Sequence, residues 1–360
     1  MLTTVISFVI VLGVLIFVHE FGHYIIAKWA DIRVEEFALG FGPRLISHKK
    51  GETVYSIRAI PLGGFCNMTG EYVPDEEMDP EERKIYEETK QAGRCFHQQP
   101  LYQRFGVVVM GPVMNFVLAI VIFMFVFAGF GIQEGVMEST TIGQVTPGQP
   151  AEEAGLQSGD RIVSIEGTTV SDWRDIHETI NARQPGQDMV LVFERNNELQ
   201  QITVVPRQYQ GRPMIGITSE TVRRDVGILE SIPLGLQNGI GWGKEIFLGF
   251  ASILRGEVST DDVGGPVAIA SMTGEAARQG LENVLHFMAV ISINLGIINL
   301  FPIPALDGGR ILFMGIELVR RRPLDPEKEG LVHLVGFVVL MVLMVFIIFL
   351  DIRGLVQNLL

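Results

Sequence analysis

The chain has 360 residues, of which 48% are hydrophobic and 19% are charged, and its formal net charge is −13. A mean hydropathy of +0.32 is typical of a protein that lies partly in lipid and partly in water. The negative charge argues against a nucleic-acid partner, because binding phosphates requires a surface rich in Lys and Arg. Two cysteines are too few for a disulfide framework or a four-cysteine zinc site.

The first element is an apolar run over residues 2 to about 30, which is long enough for a membrane-spanning helix. It has neither a basic start nor a cleavage site of small residues, so we expect a retained span rather than a signal peptide. Near its end stands the sequence HEFGH, in which His19 and His23 lie four residues apart. Residues at this spacing share one face of a helix, and Glu20 lies on a neighbouring part of that face.

The HEFGH sequence fits the pattern H-E-x-x-H, in which two imidazoles bind zinc and the glutamate acts on the zinc-bound water. The pattern also occurs by chance in unrelated chains. Ionisable groups at membrane depth are costly, however, and by default they are functional. We therefore predict a zinc site at His19 and His23, with Glu20 as the base.

Residues 51–68 alternate apolar and polar side chains before a Pro/Gly turn, which predicts a strand or hairpin. An edge strand here could hold an unwound substrate segment by main-chain hydrogen bonds. A cytoplasmic hairpin without substrate contact is the alternative.

Three further apolar runs are long enough to span a membrane, over residues 105–130, 284–301 and 331–350. Basic residues follow the first run, and three consecutive arginines at 320–322 lie between the last two runs. Loops rich in Lys and Arg favour the cytoplasm. We therefore expect both termini, and the long segment between the second and third spans, to lie outside.

From about residue 133 to residue 223 the pattern changes to short strands and turns. It predicts a strand over 161–165, a helix capped by Ser171 or Asp172, and a hairpin that turns at 196–197. The stretch AGLQSGDRI resembles the loop of bacterial PDZ domains, which bind peptides by adding a strand beside a helix. A β-rich spacer without a ligand is the alternative.

The third span ends in NLFPIPALDGGR (residues 299–310), and Asp307 is the best candidate for a third metal ligand. Pro302 and Pro304 cannot continue a regular helix, and the glycines at 308–309 let the backbone approach closely. Asp307 would then lie on a broken helix beside a cavity, at the depth of HEFGH. An Asp that simply begins a cytoplasmic helix is the alternative.

HEFGH in the first span and NLFPIPALDGG in the third together resemble the site-2 protease family of intramembrane zinc metalloproteases. Further motifs of its bacterial branch are matched by IPLGGFCNMTGE (residues 60–71), MGPVMNFVLA (110–119) and VGGPVAIA (263–270). The resemblance covers nearly the whole chain, with the motifs in the right order. That branch, which includes the regulator of sigma-E protease, cleaves transmembrane helices of anti-sigma factors and remnant signal peptides.

The resemblance implies that His19, His23 and Asp307 bind Zn²⁺ and that Glu20 is the general base. It also suggests that Asn299 contacts the substrate or helps to stabilise the oxyanion. By residue chemistry alone, a helix–helix hydrogen bond would explain an asparagine at that position equally well.

In this family the segment that contains Gly63 and Gly64 is a re-entrant β-loop near the active site, so we expect both glycines to contact the substrate. Several relatives carry two tandem PDZ domains, whereas the segment here leaves room for one.

These observations predict a polytopic α-helical membrane protein, with about four transmembrane helices and an inserted β-rich PDZ-like domain. The first half of the protease core is expected at 1–131 and its second half at 281–360. The PDZ-like domain is expected at 132–223 and an amphipathic surface linker region at 224–280, including a helix at 232–254.

The expected enzyme is a zinc metalloendopeptidase of the bacterial inner membrane, with its active site toward the cytoplasm and its PDZ-like domain outside. Its expected partners are single-span membrane proteins, such as anti-sigma factors or signal-peptide remnants, together with a peptide ligand of the PDZ-like domain and the lipid bilayer.

Two other functions fit parts of the sequence. A membrane scaffold could recruit partners through the PDZ-like domain and hold a structural zinc, but it would have no need of Glu20 beside the ligands. A metal transporter would continue acidic or His residues through the second and fourth spans, which supply only His333.

Overall fold

The residues described by the computed structural model are 2–71, 79–209, 212–256 and 265–357. They form two compact units, each defined by the contacts among its own residues. The first, which we call the helical unit, combines Met1–Ala128 and Gly227–Leu360, and the second, the β-rich unit, is Gly129–Val226. Residues 263 and 264, which begin the VGGPVAIA motif, lie outside the described residues.

Long helices dominate the helical unit. In chain order the α-helices of the described residues, of which α4 and α5 belong to the β-rich unit, are α1 (Leu2–Trp29), α2 (Pro80–Gln91), α3 (Leu101–Phe130), α4 (Pro150–Ala154), α5 (Trp173–Asn181), α6 (Ile228–Leu254), α7 (Pro266–Gln279), α8 (Leu281–Leu300), α9 (Asp307–Arg320) and α10 (Pro326–Gln357). Among the described residues, four are long and apolar enough to cross a membrane: α1, α3, α8 and, over Lys328–Arg353, α10. The four predicted spans are confirmed.

Helix α3 packs against both α1 and α8 because small residues let the backbones approach. A Cβ added at Gly22 of α1 would overlap the carbonyl oxygen of Met110 on α3. One added at Gly296 of α8 would lie 3.1 Å from the ring of Phe116, also on α3. Small residues at helix contacts are typical of membrane bundles. Helix α3 therefore contacts the helix that carries HEFGH and the helix that leads to Asp307.

Helices α6 and α7 also belong to the helical unit. The predicted helix at 232–254 lies within α6, which approaches α3 closely at Gly235, beside Met124. Helix α7 meets α1 where Gly274 lies against Thr4. Asp351 of α10 accepts hydrogen bonds from the first N–H groups of α7, so the end of α10 caps the start of α7.

A long β-hairpin follows α1. Its strands are β1 (Val34–Lys50) and β2 (Thr53–Met68), which pair antiparallel with several irregularities. Both Ile57 and Gly64 of β2 lie opposite Leu39 of β1, so the chain reverses between them, at the predicted Pro/Gly turn. The first part of β1 therefore lies between the two halves of β2.

Ion pairs hold the tip of this hairpin to neighbouring segments. The carboxylate of Glu52 accepts a hydrogen bond from Lys28 Nζ at 2.7 Å, at the end of α1. It accepts two more from the Arg94 guanidinium, at 2.8 and 2.9 Å. The hydrogen bonds from Arg94, and then the one from Lys28, lower the pKa of Glu52 from 4.5 to about 2.

This low pKa gives the hairpin a pH-dependent contribution to stability. A carboxylate with a depressed pKa stabilises the fold above pH 4.5, and the contribution is lost as the pH falls from there to about 2. We expect Glu52→Gln to lower the unfolding temperature in detergent by roughly 2 °C at pH 7 and by less at pH 3. Glu138→Gln, an exposed position of the β-rich unit, is the control. An equal loss at both pH values would contradict the ionic origin.

The β-rich unit supplies the remaining strands: β3 (Ile132–Gly135), β4 (Ile142–Val145), β5 (Arg161–Ile165), β6 (Thr168–Thr169), β7 (Met189–Arg195), β8 (Glu198–Val204), β9 (Arg207–Tyr209), β10 (Arg212–Met214), β11 (Ile217–Ser219) and β12 (Thr221–Arg224). Its described residues form a sheet in the order β6–β5–β7–β8 and the strand pairs β4–β11, β3–β12 and β9–β10. Its core includes Ile162, Ile176 and Leu191, which are buried.

The local predictions for this unit are confirmed. Strand β5 covers the predicted residues, and Asp172 caps α5 by accepting a hydrogen bond from the N–H of Asp175 at 2.9 Å. Strands β7 and β8 are joined by Asn196 and Asn197 at φ 52° and 65°, a conformation that Asn tolerates well. The chain is thus a polytopic α-helical membrane protein with an inserted β-rich domain.

Candidate active site

The three predicted metal ligands come together inside the helical unit. Helix α1 places the rings of His19 and His23 on one face, with their Nε2 atoms 3.2 Å apart. Asp307 is the first residue of α9, and its Oδ2 lies 3.2 Å from His19 Nε2 and 3.5 Å from His23 Nε2. Asp307 therefore begins a helix, as the alternative interpretation required, and also faces both imidazoles.

This geometry fits one metal ion of the size of zinc. Two ligand atoms at zinc–ligand distances of 2.0–2.1 Å in a tetrahedron lie about 3.3 Å apart. All three ligand atoms lie within 4.8 Å of one another, and both histidines are buried. Oδ2 of Asp307 is buried and accepts no hydrogen bond from any residue that the structure describes. A cation between the three atoms would give this oxygen the partner that it lacks.

The outward-facing nitrogens of both rings meet α3. His23 Nδ1 donates a hydrogen bond to the backbone carbonyl oxygen of Val107 at 2.8 Å. A neutral ring with its proton on Nδ1 has a lone pair on Nε2, which is the form that binds a metal. His19 Nδ1 lies 3.1 Å from the side-chain amide of Asn115, which is fully buried.

Gly111 lies on α3 between these two contacts. A Cβ at this position would overlap Nε2 of His23, and it would lie 2.5 Å from His23 Cε1 and 3.0 Å from His19 Cε1. The imidazoles therefore pack directly on the backbone of α3, and only glycine leaves room for them.

A short irregular segment presents Asp307. Between α8 and α9 the chain breaks at Pro302 and Pro304, as predicted, and Ala305 has φ 76°, a costly conformation for alanine. The N–H of Ala305 donates to Nδ1 of His333 on α10 at 2.9 Å. His333 therefore supports the segment just before Asp307.

Two ion pairs fix α9 after Asp307. Arg104 of α3 donates two hydrogen bonds to Glu317 of α9, at 2.6 and 3.1 Å. Arg310, near the start of α9, pairs with Glu71 just beyond β2. A bidentate arginine–carboxylate contact is directional as well as strong, so α9 is held in a defined orientation.

Glu20 lies next to the metal-ligand cluster and to strand β2. It directly follows the ligand His19 on α1. A Cβ added at Gly64 would lie 3.2 Å from Glu20 Cγ and 2.7 Å from Ile16 Cγ2. Strand β2 therefore passes directly beside the predicted base.

Gly63 and Asn299 are the other two residues that were predicted to bind the substrate. Gly63 has φ 113°, and a Cβ there would overlap the ring of Phe41, so its direct neighbour is Phe41 of β1. Asn299 lies on the last turn of α8 and is partly buried. The described residues form no hydrogen bond with its side chain.

Comparison with known proteins decides the family. The model of the family described as Peptidase family M50 matches residues 7–343. The chain belongs to this family. The M50 chain is 35% identical to the zinc metalloprotease RasP of Geobacillus kaustophilus, over an alignment that covers 98% of each chain. It is 33% identical to the regulator of sigma-W protease RasP of Bacillus subtilis, which covers 98% of this chain and 99% of that one.

A part of the chain is similar to a solved structure. The PDZ domain of the SdrC-like protein of Listeria monocytogenes is 20% identical and matches with a TM-score of 0.22, covering 24% of this chain and 92% of that chain.

The M50 family model and the RasP relatives confirm the predicted resemblance to site-2 proteases. The chain is an intramembrane zinc metalloprotease.

Sequence reasoning assigned no role to Asn115, Gly111 or His333. Asn115 and Gly111 lie within the quoted motif MGPVMNFVLA, so a polar residue and a glycine in a lipid span were the available signals. His333 resembled an ordinary polar residue near the start of a span. Only the packing of α10 on the segment before α9 shows its contact.

Proposed function

We propose that this M50 protease holds Zn²⁺ with His19, His23 and Asp307, and cleaves peptide bonds within or at the edge of a transmembrane segment. The observation that carries the proposal is the convergence of three buried ligand atoms beside a glutamate, in a unit built from spanning helices. Burying ionisable groups at membrane depth costs free energy, and such groups are typical of functional sites.

Each residue has a distinct part in the proposed reaction. Zinc bound here would supply the Lewis acid that polarises the scissile carbonyl and activates water. Glu20 takes the proton from the attacking water and delivers it to the leaving amine nitrogen. His19 and His23 bind through Nε2, and Asp307 adds a negative charge that strengthens the binding of a cation.

The substrate has to be extended before it can react, because a helix hides its peptide bonds in its own hydrogen bonds. We propose that the segment of β2 at Gly63 and Gly64 holds the extended substrate by main-chain hydrogen bonds next to Glu20. Asn299 is proposed to contact the substrate or stabilise the developing oxyanion, which is consistent with a side chain that has no partner among the described residues.

The glycine at position 64 gives a test of this part of the proposal. We expect Gly64→Ala to reduce cleavage by about 10- to 100-fold, because the added Cβ moves β2 away from Glu20 and misplaces the substrate. Zinc content should not change. Gly13→Ala on α1 is the control, since nothing lies within 4 Å of a Cβ there. Full activity of Gly64→Ala would argue against substrate contact at this strand.

The identity of the substrates is a separate proposal. The name of the Bacillus subtilis relative refers to the regulation of a sigma factor. We propose single-span anti-sigma factors and signal-peptide remnants as substrates, with a peptide ligand for the PDZ-like domain. We also propose a bacterial inner-membrane location with the site toward the cytoplasm, and the division at residues 131, 223 and 280.

Cleavage of a single-span test substrate by the purified full chain in liposomes tests the proposal. We expect one zinc per chain, product ends that mass spectrometry places in or beside the span, and loss of both zinc and cleavage in His23→Ala. A chelator should stop cleavage, and added zinc should restore it. Cleavage that persists in His23→Ala and in the presence of the chelator would contradict the proposal. Zinc without cleavage of any single-span substrate would favour the scaffold.

A further inference from the structure

The side chain of Asn115 faces the ring of His19 on the side away from Asp307. His19 Nε2 lies 3.2 Å from Asp307 Oδ2, and His19 Nδ1 lies 3.1 Å from Asn115 Nδ2. Asn115 is 0% exposed, and its Oδ1 has no hydrogen-bond partner within the described part of the chain. A buried polar atom without a partner costs about 1–3 kcal/mol, so this amide requires an explanation.

We infer that Asn115 is a positioning residue that fixes His19 as a metal ligand, by accepting the Nδ1–H of its ring on Oδ1. The inference rests on the proposed zinc site. A nitrogen that binds a metal carries no proton, so a ligating Nε2 places the ring proton on Nδ1, and only an acceptor can face it.

A half-turn of the carboxamide brings the oxygen to this place. The turn exchanges Oδ1 and Nδ2 in nearly the same positions, so Oδ1 would lie about 3 Å from Nδ1 and gain the donor that it lacks. An amide N–H facing Nδ1 would instead place the ring proton on Nε2, where it would block the metal. The requirements of the metal therefore select the orientation of the amide.

The backbone of Asn115 also contacts α8. The hydroxyl of Ser292 on α8 donates to the carbonyl oxygen of Asn115 at 2.8 Å, and Ser292 is fully buried. Helix α3 thus orients both imidazoles in the same way. The acceptor for His23 is the main-chain carbonyl of Val107, which no substitution removes, whereas the acceptor for His19 is a side chain that can be replaced.

The affinity of the detergent-purified full chain for zinc, measured by competition with a chromophoric chelator, tests the inference without relying on activity. We expect Asn115→Leu to weaken zinc binding by about 10- to 100-fold, whereas Asn115→Asp, which keeps an acceptor, stays within about threefold of the wild type. Ser292→Ala, which removes only the contact to the backbone of Asn115, is the matched control and should also stay within about threefold. The absorption spectrum of the cobalt-substituted protein should change in Asn115→Leu alone.

Wild-type affinity in Asn115→Leu would overturn the inference, and so would an equal loss in Asn115→Leu and Asn115→Asp. If Asn115→Leu elutes as an aggregate, Asn115→Asp decides: retained zinc supports the acceptor role, and lost zinc overturns it. His23→Ala separates this inference from the proposed function. If the wild type binds no more zinc than His23→Ala does, the proposed metal site itself is wrong. If His23→Ala loses zinc but the Asn115 variants bind it with wild-type affinity, the metal site stands and only the role of Asn115 is wrong.

Discussion

Glu20→Gln is expected to slow cleavage of a single-span substrate by about 100- to 10,000-fold while zinc remains bound, because a positioned general base contributes a factor of that size. Glutamine has nearly the same shape as glutamate, but it cannot take a proton from water. Glu20 is not among the three converging ligand atoms, so its replacement leaves the metal ligands in place. Activity and zinc content should therefore separate in this variant.

The comparison needs both measurements on the same preparation. Wild type and Glu20→Gln are assayed for cleavage in liposomes and for zinc per chain. His23→Ala is the control that loses both, because it removes a ligand. Glu20→Asp adds a second test, since its shorter carboxylate remains a base at a greater distance and should retain part of the rate. Cleavage by Glu20→Gln within about twofold of the wild type would show that another group accepts the proton.

The parts of the fold that the sequence predicted well are those that local patterns specify. A spanning helix needs about 20 apolar residues whatever surrounds it, so α1, α3, α8 and α10 could be identified from composition alone. The turn at Asn196 and Asn197 and the cap at Asp172 likewise depend on residues adjacent in the chain. HEFGH is local in the same sense, because a helix places residues four apart on one face.

Asp307 lies at the limit of such reasoning. Nothing in the spacing of 284 residues between His23 and Asp307 requires them to meet. Their equal depth and the proline break supported the pairing, and the structure brings the three ligand atoms together. The supporting contacts were beyond reach because they depend on how helices pack: the carbonyl of Val107, the amide of Asn115 and the ring of His333 become partners only once α3 and α10 are in place.

Gly111→Ala should remove zinc without unfolding the protein, and this separation makes it the most informative variant of the helical unit. The new methyl group would overlap the ring of His23, which is the movable partner, because the backbone of α3 is held by its contacts with α1 and α8. His23 would have to leave both the carbonyl of Val107 and the metal position. We expect zinc affinity to fall by at least about 100-fold, with cleavage falling in parallel.

Gly111→Ala is expected to lower zinc affinity without lowering the stability of the metal-free protein, and general unfolding would not produce this combination. Alanine favours a helix over glycine by about 1 kcal/mol, so the metal-free variant should be as stable as the metal-free wild type, or more so. Gly106→Ala, on the same helix, is the control: its Cβ would lie 3.7 Å from Ile26 Cγ2, an ordinary contact, and zinc affinity should be unchanged. Unfolding temperatures without zinc, together with zinc affinities, decide the matter for both variants. If Gly111→Ala bound zinc as the wild type does, the imidazoles could not pack on α3 as described. Metal-binding imidazoles that pack on a helix backbone require a glycine at the point of contact, even though glycine destabilises the helix.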